Sequence, residues 1–96
     1  MFRYNFFENG VTSEQNVYNE KLQKHGQCSK NFENASPEYV YSYAVGQKNG
    51  ECVDYYENGG VKSRYSFLNG TLNGEFFEYY ACEQLKQQGK YANGKL

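Results

Sequence analysis

The residues able to carry chemistry in this chain are few: one histidine, three cysteines and two carboxylate pairs that recur at a single interval. A general base needs a partner within hydrogen-bond reach. His25 has no Ser or Cys nucleophile in motif with it, so it reads as a solvated loop residue. Cys28 and Cys52 stand 24 residues apart, with Phe76 in the third place. If each interval is one β-hairpin, equivalent strands are separated by an intervening strand, about 9–10 Å apart. A disulfide requires Cα atoms closer than about 7 Å, so these two thiols read as small buried apolar groups. Cys82 falls in a turn, where it is expected to be exposed, with no neighbour suited to activating it. Asp54 with Glu78, and Glu51 with Glu75, share the same spacing. A carboxylate pair at about 9–10 Å fits only the inverting-glycosidase range, and no cleft is evident to house it. A metal site needs several converging ligands, and there is no GxxxxGK[ST] or GxGxxG stretch to cradle a phosphate. These residues therefore predict no enzyme, no catalytic residue, no metal and no cofactor.

The same interval governs the elements that hold these residues. Gly26, Gly50 and Gly74 are 24 residues apart, and the unit between the last two reads GECVDYYENGGVKSRYSFLNGTLNG. Fixed-period self-similarity decides a fold before any local reading does. Two alternating runs, Glu51–Tyr56 and Val61–Phe67, flank Glu57-Asn58-Gly59-Gly60, and Leu68-Asn69-Gly70-Thr71 turns into the next unit. An Asn-Gly pair between alternating apolar runs is a strong hairpin signal. The chain divides into copies 1–25, 26–49, 50–73 and 74–96. In the first, Phe6-Phe7-Glu8-Asn9-Gly10 matches Tyr55 to Gly59, Val17 is placed where Phe67 falls, Lys21-Leu22 where Thr71-Leu72 falls, and Lys24-His25 reads as a small insertion. In the second, Pro37, the one proline, sits at a turn-to-strand junction where a missing N–H costs least. The predicted fold is all-β: four β-hairpin repeats of about 24 residues, forming one elongated, twisted antiparallel meander sheet. It has about eight strands and two open ends, and Leu85–Tyr91 is an edge strand.

Side chains alternate between faces along a strand. A four-residue turn places Tyr56 opposite Val61, Asp54 opposite Ser63, Cys52 opposite Tyr65 and Gly50 opposite Phe67. Phe7, Phe32, Tyr56 and Tyr80, with Val17, Tyr43, Phe67 and Tyr91, are then the expected core ladder. Each glycine lies under an aromatic, a known way to close a gap in a sheet. The other face sets Tyr55 against Lys62, Tyr79 against Lys86 and Glu75 against Lys90. Tyr and Arg are enriched at interface hot spots. Tyr55, Arg64, Phe77, Tyr79 and Lys86 are therefore the candidate partner-binding residues.

Composition narrows the function classes. Ninety-six residues make one domain, 1–96, too small for a deep enzymatic cleft. Aromatics reach 19% with eleven Tyr, seven Phe and no Trp, while mean hydropathy is −0.94; rings must supply the burial. The net charge is −1 and the ten basic residues are dispersed. Neither a nucleic-acid footprint nor a polybasic membrane segment is present, so no nucleic acid and no membrane is expected as partner. The absence of a signal-peptide pattern and an odd cysteine count predict reduced thiols and a cytoplasmic location.

The text G-E-x-x-x-Y-Y-E-N-G-x-[VL]-K-S, continued by N-G-x-L-N-G, resembles the MORN-variant repeat. Glu51, Tyr55 to Gly59, Val61 to Ser63 and Asn69 to Gly74 carry the match best, followed by Glu75, Tyr79-Tyr80, Leu85-Lys86 and Gly89 to Leu96. The match is strong over 50–96, moderate over 26–49 and weak over 1–25; the E-N-G turn is replaced by Ala81-Cys82-Glu83. The resemblance implies a hairpin array that binds something and has no catalytic residues, as in bacterial proteins catalogued as antitoxins. The expected function is a non-catalytic protein-binding module that sequesters or inhibits a toxin, effector or host defence protein, of antitoxin, immunity or phage-encoded inhibitor type. A homodimer through an edge strand is a further expectation. A structural or membrane-proximal scaffold is one alternative. Another is carbohydrate or single-stranded nucleic acid stacking on Tyr55, Phe77 and Tyr79.

Overall fold

The computed structural model describes residues 2–95, and these are strand and turn throughout. The strands are β1 (Phe2–Phe6), β2 (Thr12–Val17), β3 (Gly26–Asn31), β4 (Pro37–Ala44), β5 (Gln47–Tyr55), β6 (Val61–Leu68), β7 (Thr71–Leu72), β8 (Gly74–Tyr79) and β9 (Leu85–Tyr91). They form one antiparallel meander in chain order, with β7 and β8 both pairing β6. The described residues thus form nine strands rather than about eight, because the run after Gly70 is split at Asn73. The sheet does not close: β1 and β9 are its edges, as expected for Leu85–Tyr91. It measures 39 × 36 × 11 Å, one layer deep. Among the described residues no helix is long and apolar enough to cross a membrane.

Two kinds of turn alternate. Val45-Gly46, Asn69-Gly70 and Asn93-Gly94 are two-residue loops with both φ positive, the type I′ geometry whose twist matches that of its strands. The other kind runs over Tyr56–Gly60, where the Tyr56 amide donates to the Gly60 carbonyl and the Gly59 amide to the Tyr56 carbonyl. This is a three-residue loop ending in a left-handed Gly59 (φ 92°). The expected pairing of Tyr56 with Val61 is therefore corrected: Tyr56 pairs with Gly60, and a bulge brings Tyr55 opposite Val61. Asp54–Ser63, Cys52–Tyr65 and Gly50–Phe67 pair as expected.

The first turn region shifts two further placements. Glu14 pairs with Lys30 as Tyr39 does with Asp54 and Ser63 with Glu78. Val17 therefore occupies the place of Ser42 and Ser66, and Tyr18 that of Tyr43 and Phe67. Lys24-His25 is no insertion either: the Gly46 amide donates to the Lys24 carbonyl as that of Gly70 does to Lys48. The extra residue lies inside the Asn19–Gln23 turn, where Leu22 takes the left-handed position (φ 61°). Gly26, Gly50 and Gly74 do lie in register with Tyr43, Phe67 and Tyr91. A Cβ there, however, would meet Val17, Ser42 and Ser66. Positive φ turns that direction to the opposite face, so the rings fill no gap left by these glycines.

Neighbouring turns are stitched together. Asn9 donates its Nδ2 to the Glu33 carbonyl, Asn34 to Glu57 and Asn58 to Ala81, at 3.1, 3.4 and 3.1 Å. The same asparagines accept from the amides of Val11, Ser36 and Gly60, so each closes its own turn while holding the next. Along the other margin, the Val45, Asn69 and Asn93 amides dock on His25 Nδ1, Asn49 Oδ1 and Asn73 Oδ1.

Burial is deepest at mid-strand. Cys28, Cys52 and Phe76 are buried on one face and Val53 on the other. The row Phe7, Phe32, Tyr56 and Tyr80 instead borders the turns: the first three are half-buried and Tyr80 is exposed, a correction to the expected core ladder. Cys28, Tyr41, Cys52 and Tyr65 follow one another across strands, Tyr65 stacks on Phe76 at 5.6 Å, and Phe76 meets Tyr91 at 4.9 Å. Such pairs contribute roughly 0.2–1 kcal/mol each. We call this side the ring face.

Non-glycine residues in left-handed backbone carry strain of about 1–2 kcal/mol. Val45 is β-branched in that region (φ 49°), so Val45→Asn is expected to raise unfolding free energy by about 1 kcal/mol. Glu83→Gly (φ 71°) is expected to add about 0.5 kcal/mol, after the greater freedom of an unfolded glycine is subtracted. Gly59→Ala, whose Cβ would meet no atom within 4 Å, should cost about 1 kcal/mol through backbone strain alone. Urea titration measures all three, and a gain from Gly59→Ala would overturn the turn assignment.

Candidate functional site

β5, β6 and β8 bring four of the five candidate residues onto the face opposite the rings. Arg64 is flanked by Val53 on β5 and Phe77 on β8, with Tyr55 and Tyr79 one alternation further along their strands. The fifth is misplaced. The bulge that sets Tyr79 opposite Leu85 turns Lys86 to the ring side, where its ammonium lies over Tyr80 at 5.9 Å. Lys62 likewise lies over Tyr56 at 5.9 Å, not against Tyr55. Glu75 and Lys90 pair as expected.

Arg64 Nε lies 3.5 Å from Glu51 Oε1, with both side chains about half exposed. An ion pair so open to water is worth little, which leaves the guanidinium available to a partner. Val61, Arg64, Tyr79 and Glu83 line a shallow hollow of about 220 Å³, below the roughly 300–1,000 Å³ of a small-molecule pocket. The geometry suits a flat contact in which a planar Arg and neighbouring rings meet another surface.

On the ring face several polar groups find partners within the sheet. Asn5, Glu14, Lys30, Tyr39, Asp54, Ser63, Glu78 and Gln87 are successive cross-strand partners over eight strands. The Tyr41 hydroxyl donates to Asp54, and the Tyr65 hydroxyl to Glu78. Ser63 Oγ donates to the other Asp54 oxygen at 2.8 Å. Burial, then the carboxylate hydrogen bond, pushes the Tyr41 and Tyr65 phenols well up. The Tyr65 hydroxyl, then Gln87, holds Glu78 below the usual carboxyl range. Lys48 caps the Tyr41 ring at 4.2 Å and the Phe67 ring at 5.3 Å.

His25 is exposed, and its Nδ1 accepts from the Val45 amide at 3.3 Å, a turn-docking role. Cys28 and Cys52 are free and buried, separated by Tyr41, and Cys82 is free and exposed, all as expected. Burial pushes the Cys52 thiol up, away from the reactive thiolate. Among the described residues no three His, Cys, Asp or Glu side chains gather to hold a metal ion.

One group escaped the sequence reading. Phe2, Tyr4 and Phe6 alternate along edge strand β1, with exposures of 60%, 49% and 64%. Alternating rings at an end of the meander were the available signal. Beside them Phe6, Phe7, Glu8, Asn9 and Glu33 line a hollow of about 620 Å³.

The arrangement defines a single-layer, all-β meander with one self-satisfied face and one face with an available Arg and rings. Comparison with family models, curated proteins and solved structures gives no match.

A depressed carboxyl stabilises the fold above its unfolded pKa and ceases to do so as pH falls through its folded value. A raised phenol stabilises below its unfolded pKa and ceases as pH rises through its folded value. At pH 7 the Tyr65–Glu78 bond contributes in full. Tyr65→Phe is expected to cost about 0.5–1 kcal/mol there, allowing for solvent screening. The gap to wild type should shrink below pH 4.5, the ordinary value for Glu78, and again above pH 10, the ordinary value for Tyr65. Denaturant titrations across pH measure it; a constant gap would contradict the bond. At the other margin, His25→Asn should preserve stability by supplying an equivalent acceptor, whereas His25→Ala should lose about 0.5 kcal/mol.

Proposed function

We propose that this chain is a non-catalytic protein-binding module, acting in the cytoplasm, that sequesters or inhibits one partner protein, as an antitoxin, immunity protein or phage-encoded inhibitor does. The observation that carries the reading is Arg64 set between Val53 and Phe77 on an open face. Arg and aromatic side chains on a flat, accessible surface are the usual anchors of a protein interface. An 11 Å slab gives a partner access to either face and, through its edges, to strand addition. Free thiols at Cys28, Cys52 and Cys82 fit a reducing compartment. The resemblance of residues 50–96 to MORN-variant repeats points the same way.

The test is affinity capture from source cells with two baits, wild type and an Arg64→Glu, Phe77→Ala double variant that remains folded, read by mass spectrometry. One protein should be held by the wild type with better than about micromolar affinity and be depleted at least about tenfold on the variant. Equal retention by both baits, or no protein at that affinity, sinks the proposal.

A further inference from the structure

The two edges of the sheet differ in how they are guarded. Natural edge strands are blunted by lysine, proline, bulges or a covering loop. β9 (LKQQGKY) carries Lys86 and Lys90 and includes Gly89. β1 (FRYNF) has no lysine, proline or glycine, and all five of its residues are exposed. Its one bulge lies toward β2, at Asn5/Phe6. Phe2, Tyr4 and Phe6 share the face opposite the rings, whereas Arg3 and Asn5 share the ring face.

We infer that β1 pairs with β1 of a second copy of this chain, antiparallel, about a two-fold axis through Tyr4. Full overlap of the five-residue strand places Phe2 opposite the second copy's Phe6, Arg3 opposite its Asn5 and Tyr4 opposite its Tyr4. No like charges face each other, and the rings join into one continuous stripe over both copies. Directly opposed aromatics are a favourable cross-strand pair, while directly opposed like charges are not. An antiparallel β9–β9 joint would instead bring the lysines of both copies onto one seam. A head-to-tail joint of β9 on β1 would extend the sheet without limit. It would also lack its turn stitch, because Cys82 stands where Asn9, Asn34 and Asn58 stand in the earlier turns. The β1–β1 joint closes on itself. The contact is small, so its dissociation constant should be on the order of micromolar. The inference is independent of the partner-binding proposal, since the Arg64 surface lies away from β1.

Sedimentation equilibrium of the full chain over roughly 5–500 µM tests it. The mass should climb from 11.2 kDa towards twice that value. Phe2→Lys with Phe6→Lys, and Phe2→Glu with Phe6→Glu, should each stay monomeric alone and associate when mixed, because opposed lysines are then replaced by Lys–Glu pairs. Tyr4→Lys, which keeps both phenylalanines and sets like charges on the axis, should weaken association at least about tenfold. Circular dichroism verifies that each variant is folded. A wild type that remains monomeric across the range, a mass rising beyond two chains, or a charge-swapped mixture that fails to associate overturns the inference.

Discussion

A sheet one layer deep has no second layer to rest on, and that constraint shapes everything else in this molecule. Among the described residues the buried apolar side chains are Cys28, Cys52, Val53 and Phe76, far short of the core of a two-layer domain. Cohesion must therefore run sideways, from hairpin to hairpin. Rows of side chains cross the strands at mid-sheet. At one margin Asn9, Asn34 and Asn58 each hold the following turn, and at the other the type I′ turns dock their amides on His25, Asn49 and Asn73. Each such bond contributes only about 1 kcal/mol. Its larger effect is on register, because a slip of one residue would exchange the two faces.

The same constraint sets the two faces apart in how far their polar groups find partners within the sheet. On the ring face, Tyr41, Tyr65 and Ser63 direct their hydroxyls to Asp54 and Glu78, and Lys24 and Lys48 cover Tyr43, Tyr41 and Phe67. Most of its donors and acceptors already have partners within the sheet. On the opposite face the Arg64 guanidinium has only a loose contact with Glu51, beside Phe77 and Tyr79. Donors that the fold leaves underused are those a second protein can recruit without first breaking internal bonds. That difference in internal satisfaction, more than aromatic content, favours the Arg64 face as the surface for the proposed partner.

Most of the strand register was legible in the sequence, and the reason is geometric. Strand alternation has a period of two and the glycines mark a longer interval, so Gly50–Phe67, Cys52–Tyr65 and Asp54–Ser63 follow from counting. Counting failed where the backbone leaves that lattice. Bulges beside Tyr55 and Tyr79 moved Lys62 and Lys86 to the ring face, and they arise from three-residue loops that Asn-Gly text alone does not separate from longer ones. The Phe7–Val11 turn closes as Tyr56–Gly60 does, so Val11 stands at the place of Gly60 and Val17 falls one position short of that of Phe67. Leu22, Ala35 and Glu83 hold left-handed positions that sequence composition assigns to glycine, because turn closure and docking against the neighbouring hairpin override a cost of about 1–2 kcal/mol. The aromatic stripe of β1 was written in the text as alternation. Its exposure depends on β1 being an edge, which topology alone decides.

Sideways cohesion creates a problem at the margins of the sheet. Each interior joint uses the same strand pairing and the same turn stitches, so the surface that accepts one hairpin would accept another. β9 answers with lysines and with Cys82 in place of the stitching asparagine. Its turn receives the Asn58 amide but has no asparagine at the matching place to pass one on. β1 carries neither device, and exposed rings along an edge whose one charge is Arg3 are costly to leave in water. Two solutions exist for such an edge: cover it with another protein, or turn it on itself. Turning it on itself requires a strand whose pattern reads compatibly in both directions about its middle residue. Phe-Arg-Tyr-Asn-Phe does so, with rings opposing rings and the single cation opposing an amide. A copy joined there leaves only the lysine-guarded β9 edges at the ends, so assembly through β1 stops at two chains.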